Sequence, residues 1–228
     1  LVSNTRADII EPALPYAEKY NVVMTLEIHA GMSFDSAMTQ AYIAEMKKLD
    51  SPYVGLTVDT GIFCERHPRV STNFFRELGV NEDLIRSIDE IFEQGSDPRR
   101  YFAEMAIADE EFPCDIKKHI HTQDEYEYAL FATGYECTDL SVLDEYMPYV
   151  KHIHGKIYEM TEAGVEYSIP FDRIVAYLKA AGYQGYIATE YEGNRFTLKD
   201  QPILDKENVE AHQEMLKRYI ENEEAANV

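Results

Sequence analysis

The sequence predicts an α/β fold, and within that class the C-terminal half of a (β/α)8 TIM barrel. Short apolar, β-branched segments alternate with stretches of helical periodicity, which is typical of parallel strands joined by helical crossovers. Each of these segments ends in a polar residue, as barrel strands do at the face that carries catalytic groups. Only four strands stand out, whereas a barrel closes with eight, so we expect N-terminal strands to be missing from this chain. An open doubly wound sheet is the alternative, although its glycine-rich phosphate loop is absent from the sequence.

The chain up to about residue 60 predicts a strand–helix–strand unit. Apolar residues at helical spacing over residues 9–17 predict a helix, which Asn21 ends. Residues 22–29 form a short apolar run that is typical of a buried parallel strand. A helix over 35–49 and a second strand over 53–59 follow, and such a unit is right-handed when its strands are parallel.

The middle of the chain changes rhythm and then returns to strands and helices. We interpret residues from about 62 to 149 as a helical insertion, with helices over 82–94, 116–132 and 141–149. Because the alternation resumes afterwards, residues 1–228 are predicted to form a single, partial barrel domain. The remaining elements are predicted as a strand over 150–156, a hairpin-like excursion over 157–169, a helix over 171–181, a strand over 186–191 and a closing helix over 208–221.

The composition argues against several classes of partner. The chain has 42 Asp and Glu residues but only 21 Lys and Arg residues, which gives a formal net charge of −21. A surface this acidic repels nucleic-acid phosphates and anionic lipid headgroups, and no apolar run approaches the ~20 residues of a membrane span. We therefore predict neither nucleic acid nor membrane as a partner. Three cysteines without metal-type spacing favour a reducing, cytoplasmic location.

A possible metal ligand ends each of the four predicted strands. They are Glu27, Asp59, His154 and Glu190. Since the carboxyl ends of parallel strands share one edge of a sheet, and neighbouring strands are about 5 Å apart, these side chains are expected to converge. Three carboxylates crowded together repel one another unless a cation neutralises them, and an oxygen-rich set suits Mn²⁺ or Mg²⁺. The alternative is that the acids are helix caps or salt-bridge partners and the histidine a hydrogen-bonded core residue.

The spacing of these residues resembles a known superfamily. Glu27 and Asp59 are 32 residues apart, and His154 and Glu190 are 36 apart, as in the xylose-isomerase-like sugar-phosphate isomerases and epimerases, whose ligands are a Glu, an Asp, a His and a Glu. That superfamily also includes the abasic-site endonucleases. The resemblance implies that the second histidine of His152-Ile153-His154 is the ligand. The epimerases usually carry another His three residues after the Asp, where this chain has Ile62.

Four longer segments resemble one branch, the α subunit of bacterial C-glycoside deglycosidases. This branch implies a metal-dependent carbon–carbon lyase, with Mn²⁺ as the expected ion and Mg²⁺ as the alternative. It implies cleavage of the sugar–aglycone bond of 3-keto C-glycosides by C2 deprotonation and β-elimination, and a small β subunit in a hetero-oligomer. A sugar isomerase or epimerase acting through an enediolate is the alternative. The segments are residues 26–30 (LEIHA), 54–63 (VGLTVDTGIF), 168–173 (SIPFDR) and 190–195 (EYEGNR).

Three further residues are predicted to serve the reaction. His29 is the candidate catalytic base, because it follows Glu27 by two residues on a strand and imidazole titrates closest to neutral pH. The alternative is a histidine merely hydrogen-bonded at the strand end. Lys156 and Arg195 are predicted to bind substrate, although a surface ion pair with Glu192 is the alternative for Arg195. His119 and His121 could contact substrate or hold a loop, and the loop is the favoured interpretation.

Two other classes of function share the same scaffold. A nuclease would use a similar metal site, but the net charge of −21 and the scarcity of clustered basic residues argue against it. A non-catalytic subunit or binding module would keep the fold for assembly alone. The presence of the complete ligand set argues against that alternative.

Overall fold

The structure is a computed structural model that describes residues 1–3, 5–105 and 112–221. Its framework is a parallel sheet of five strands that lie side by side in chain order. The edge strand β1 has two residues, which explains why no hydrophobic pattern marks it in the sequence. The strands are β1 (Val2–Ser3), β2 (Met24–Ile28), β3 (Val54–Asp59), β4 (Val150–Ile157) and β5 (Ile187–Tyr191).

Helices connect the strands and fill the long stretch between β3 and β4. Within the described residues the α-helices are α1 (Ile10–Tyr20), α2 (Ala37–Leu49), α3 (Arg69–Glu77), α4 (Glu82–Glu93), α5 (Pro98–Met105), α6 (Cys114–Lys117), α7 (Gln123–Ala132), α8 (Leu143–Tyr146), α9 (Phe171–Ala180) and α10 (Asp205–Glu221). Short 3-10 turns cover Ala7–Ile9, Thr60–Ile62, Leu140–Val142, Met147–Tyr149 and Gly193–Phe196. None of the helices in these ranges is both long and apolar enough to cross a bilayer.

The prediction of a (β/α)8 TIM barrel, represented in this chain by four strands of its C-terminal half, is wrong. The described residues form one open sheet in the order β1-β2-β3-β4-β5, with β1 and β5 at its edges. The sequence argument failed because polar residues at the carboxyl ends of strands are expected in any parallel sheet, whether it is closed or open. The polar residues at the strand ends therefore identified the edge of the sheet that bears polar groups. They did not show whether the sheet closes.

The two faces of the sheet differ in chemistry because strand residues alternate in direction. On β2 and β3, Leu26, Ile28, Leu56 and Val58 are completely buried in the main apolar core. The residues between them are polar, and the hydroxyls of Thr25 and Thr57 are 2.9 Å apart across the two strands. The polar face ends in the predicted metal ligands at the carboxyl edge of the sheet.

The stretch between β3 and β4 has a core of its own. Helices α3 to α7 bury a second apolar cluster that includes Leu84, Ile88 and Tyr128. Helix α4 begins after Asn81, whose side chain accepts the Leu84 N–H at 2.9 Å as an N-cap. The region predicted as a helical insertion is thus helical where it is described, and residues 106–111 of it lie outside the described ranges. Its interpretation as part of a single domain stays a prediction.

Candidate metal centre

Three of the four predicted ligands come together at the carboxyl edge of the sheet. One possible ligand atom from each of Glu27, His154 and Glu190 lies within 4.8 Å of the others. They come from β2, β4 and β5, so the pairing of parallel strands is what assembles the cluster. We refer to these three residues as the three-ligand cluster.

The geometry of the three-ligand cluster fits a hard divalent cation. The His154 Nδ1 atom is 2.6 Å from Glu27 Oε1 and 3.4 Å from Glu190 Oε2, so one ring nitrogen faces two carboxylates. The side chains are 26 to 37% exposed, which leaves the cluster reachable from solvent. Glu190 Oε2 is itself buried and makes no hydrogen bond among the described residues. A buried carboxylate oxygen without a donor is costly, and a cation beside the imidazole and carboxylates would satisfy it.

Asp59, the fourth predicted ligand, has both oxygens engaged elsewhere in this structure. Its Oδ1 accepts the Gly61 N–H at 2.8 Å and so caps the 3-10 turn that follows β3. Its Oδ2 is 3.1 Å from Lys156 Nζ. The side chain is almost fully buried, and this burial raises its pKa to about 6 against the opposing effect of Lys156. The predicted role of Asp59 as a metal ligand stays a prediction.

Lys156 is the centre of a second group of carboxylates. Its Nζ lies 3.1 Å from Asp59, 3.0 Å from Glu190 and 2.8 Å from Glu192. We refer to these four residues as the lysine cluster. Burial acts to lower the pKa of the 6% exposed lysine, but the surrounding carboxylates outweigh it and the pKa lies above its ordinary value. Three carboxylates thus lie within 3.1 Å of the ammonium group, and substrate binding by Lys156 stays a prediction.

Arg195 lies next to the lysine cluster. Its Nη2 atom is 3.2 Å from Glu192 Oε2, and half of its side chain is exposed. The short turn that carries it depends on Gly193, because a Cβ atom there would lie 2.0 Å from the Tyr158 carbonyl oxygen. The ion pair that was the alternative for Arg195 is therefore present, and the exposed half of the side chain remains accessible. Substrate binding by Arg195 stays a prediction.

His29 lies one residue beyond the end of β2. Its Nδ1 atom is 2.9 Å from the carbonyl oxygen of Ala30. Because a carbonyl oxygen can only accept, Nδ1 carries the proton of a neutral ring and Nε2 is left as the acceptor. The chain turns here, with Met32 donating to the His29 carbonyl at 2.8 Å and Gly31 in the left-handed region at φ +90°. The tautomer that the structure favours is the one a base acting through Nε2 requires.

The histidines of the helical stretch hold a loop through their backbone. The Asn81 amide donates to the His119 carbonyl at 2.9 Å, and Glu125 Oε2 accepts the His121 N–H at 2.7 Å. Glu125 also closes a capping box with Thr122 at the start of α7. These contacts involve the backbone and not the imidazoles, so the loop interpretation of His119 and His121 stays a prediction.

Sequence reasoning missed the part that Glu192 plays in the lysine cluster. It was considered only as a partner of Arg195, yet it follows Glu190 by two residues. Two residues is the strand period, so this spacing was the available signal that the two carboxylates share one face. The neighbouring His152 was also passed over as a ligand; its ring centroid lies 5.4 Å from that of His154, and burial followed by this neighbour lowers its pKa.

Comparison with known proteins identifies similar chains. No protein-family model matches this one. It is 32% identical over 197 residues to the C-glycoside deglycosidase alpha subunit of Arthrobacter globiformis, covering 82% of this chain and 52% of that one. It is 32% identical over 211 residues to the 3'-dehydrocarminate deglycosidase alpha subunit of a Microbacterium species, covering 86% and 57%. A C-glycoside deglycosidase alpha subunit of Microbacterium trichothecenolyticum is 28% identical over 196 residues, covering 82% and 51%.

These similarities confirm the resemblance to C-glycoside deglycosidase alpha subunits, whereas membership of the wider xylose-isomerase-like superfamily stays a prediction. The chain spans about half the length of the curated relatives that it matches. The aligned part covers more than four fifths of this chain, so the resemblance is not confined to the metal-ligand motif.

Proposed function

We propose that this chain contributes the metal site of a C-glycoside deglycosidase, a lyase that cleaves the carbon–carbon bond between a 3-keto sugar and its aglycone. The observation that carries the proposal is the three-ligand cluster, in which the buried Oε2 of Glu190 makes no hydrogen bond among the described residues. The similarity to deglycosidase alpha subunits supports the choice of substrate class.

Glu27, His154 and Glu190 would hold the ion, with Asp59 as the predicted fourth ligand. Two carboxylates and one imidazole favour Mn²⁺, with Mg²⁺ as the alternative. When bound, such an ion acts as a Lewis acid that polarises a carbonyl oxygen and so makes the neighbouring C–H bond more acidic.

His29 would act as the base of the reaction. In a 3-keto sugar the hydrogen on C2 is next to the ketone and is therefore the acidic one. The Nε2 lone pair of His29 takes this proton, since Nδ1 is already committed as a donor to the Ala30 carbonyl. This hydrogen bond fixes the orientation of the half-buried ring.

The bond to the aglycone then breaks by β-elimination. The electron pair of the C2–H bond becomes the C1–C2 double bond, and the pair of the C1–aglycone bond leaves with the aglycone carbon. That carbon takes up one proton, so one proton is removed from the sugar, one is added to the aglycone and no oxidant is consumed. Arg195, with its exposed guanidinium beside Glu192, is the proposed contact for a substrate oxygen.

The proposal includes partners. A separate oxidoreductase would supply the 3-keto sugar, because the chemistry needs that ketone before C2 can lose its proton. The relatives are named as alpha subunits, and we propose that this chain likewise works with a small β subunit in a hetero-oligomer. The predicted cytoplasmic location stays part of the proposal.

The test is a product analysis in deuterated water. The assembled enzyme is given a 3-keto C-glycoside or, in a parallel reaction, free ketoses, and each reaction is followed before chelation, after chelation and after addition of Mn²⁺. We expect the released aglycone to carry one solvent deuteron at the carbon that was bound to the sugar, and we expect release to stop after chelation. Interconversion of free ketoses without any release of aglycone would instead identify a sugar isomerase or epimerase and contradict the proposal.

A further inference from the structure

Glu190 belongs to both carboxylate clusters at the sheet edge. Its Oε1 is 3.0 Å from the Lys156 ammonium, while its Oε2 faces His154 at 3.4 Å. Lys156 is 6% exposed and holds Asp59 at 3.1 Å on its other side. Glu190, which would complete the metal site, is therefore already paired with the buried ammonium group of Lys156.

Two cations that share ligands oppose each other. A buried ammonium about 3 Å from a carboxylate repels a second cation on that carboxylate, and the low local dielectric strengthens the repulsion. The same ammonium lowers the electrostatic cost of keeping Asp59, Glu190 and Glu192 close together without a metal. One residue thus both stabilises the metal-free site and weakens the attraction of the site for an ion.

We propose that Lys156 is an internal counter-ion that competes with the divalent ion for Asp59 and Glu190, and so sets the metal affinity of the site. This inference rests on the proposed metal site. It assigns Asp59 a conditional role: the carboxylate pairs with the lysine while the metal is absent and becomes available as the fourth ligand when the metal ion displaces the ammonium group.

The test compares Mn²⁺ affinity and thermal stability in the full chain and its variants. For Lys156→Met we expect the dissociation constant for Mn²⁺, measured by calorimetric titration, to fall by about tenfold or more because the competing charge is gone. The midpoint of thermal unfolding is expected to fall without metal and to recover with Mn²⁺. Lys151→Met, on the same strand, removes an equal charge outside the lysine cluster and is expected to leave the dissociation constant unchanged.

A double variant shows whether the effect passes through Asp59. In Asp59→Asn/Lys156→Met the gain in affinity is expected to shrink, because an amide oxygen is a weaker ligand than a carboxylate. This variant also removes the buried charge together with its partner, so it remains measurable if Lys156→Met does not fold in the absence of metal. Folding of Lys156→Met on addition of Mn²⁺ alone would support the proposal.

Other outcomes would overturn it. An unchanged or larger dissociation constant in Lys156→Met, with the same loss of thermal stability in the presence and absence of Mn²⁺, would show that the lysine has a structural role only. If the double variant gained as much affinity for Mn²⁺ as Lys156→Met does, the effect would not depend on Asp59. Failure of the unmodified chain to bind Mn²⁺ at all would contradict the proposed metal site itself and is distinguishable from both results.

Discussion

Glu125 and Glu190 are buried or half-buried glutamates in different environments. Glu125, in the helical stretch, is 4% exposed, and its two oxygens accept hydrogen bonds from the Asn81 amide at 2.5 Å and from the His121 and Thr122 backbone at 2.7 and 2.8 Å. Glu190, at the sheet edge, has one oxygen on Lys156 and one buried oxygen without a hydrogen bond. The chain therefore satisfies the first carboxylate completely and the second only in part.

The difference separates a structural carboxylate, Glu125, from the proposed metal ligand Glu190. Burial acts to raise the pKa of Glu125, but its hydrogen bonds outweigh burial and the pKa lies below the ordinary value. Such a group contributes to stability and needs no further ligand. The unsatisfied oxygen of Glu190 leaves a position that a cation can fill, at the cost of some stability in its absence. Substitution of Glu190 should thus impair metal binding with little effect on folding. Substitution of Glu125 should impair folding with little effect on metal binding.

The largest expected effect is on metal binding at the sheet edge. Glu190→Gln removes a charged ligand and is expected to abolish Mn²⁺ binding and turnover, while the midpoint of thermal unfolding stays close to that of the unmodified protein. Metal content after dialysis and the rate of aglycone release measure the two effects. Glu214→Gln, an exposed glutamate on α10, is the matched control and should retain both. Normal metal content in Glu190→Gln would show that Glu190, like Glu125, is not required for metal binding.

Substitution of the proposed base comes next in size. His29→Asn is expected to lower turnover by about 10²- to 10⁴-fold, as loss of a general base does, with the dissociation constant for Mn²⁺ unchanged. Steady-state kinetics and metal titration separate the two quantities. His121→Asn serves as the control, because His121 engages the structure through its backbone N–H. Near-normal turnover in His29→Asn would show that another residue acts as the base.

The structural carboxylate should show the reverse pattern. Glu125→Ala leaves the Asn81 amide and two backbone N–H groups without an acceptor, so the free energy of unfolding is expected to fall by about 1–3 kcal/mol. Urea denaturation measures this loss. Mn²⁺ affinity of the folded variant should remain that of the unmodified protein, and a weakened affinity would connect the helical stretch to the metal site.

The smallest effect is a change in pH dependence. A carboxyl group whose pKa is lowered on folding stabilises the protein fully above its unfolded pKa, about 4.3, and this contribution disappears as the pH falls through the lower folded value. The difference in unfolding free energy between the unmodified protein and Glu125→Gln should therefore shrink as the pH is lowered from 5 towards 3. A difference that stays constant over this interval would show that the hydrogen bonds, and not the charge, account for the stabilisation.

Much of the fold could be predicted because its strands and most helices have strong local signals. The apolar runs that end at Glu27 and Asp59 lie within or beside β2 and β3, and helix α4 begins at Glu82 as predicted. Helix α3 was missed because Arg69–Glu77 is largely polar, and β1 because two residues carry no period. Closure of the sheet could not be predicted, since a strand reveals the chemistry of its faces but not the number of its neighbours.

The sequence predicted which residues form the candidate site better than it predicted which of their side chains pair with one another. Strand ends identified Glu27, His154 and Glu190, which the structure brings together. The pairing of Asp59 with Lys156 depends on a distance of 3.1 Å between two side-chain atoms. No sequence pattern specifies which of several nearby cations will pair with a given carboxylate. The same applies to the His29 tautomer, which a single carbonyl oxygen determines.

Pulsed electron paramagnetic resonance of Mn²⁺ added to the full chain tests directly whether the three-ligand cluster binds a metal ion. If Glu27, His154 and Glu190 bind the ion, one Mn²⁺ per chain should show the coupling of a single directly coordinated imidazole nitrogen, and His154→Ala should remove that coupling. Bound Mn²⁺ without any nitrogen coupling, or a coupling that persists in His154→Ala, would contradict the three-ligand cluster as the metal centre.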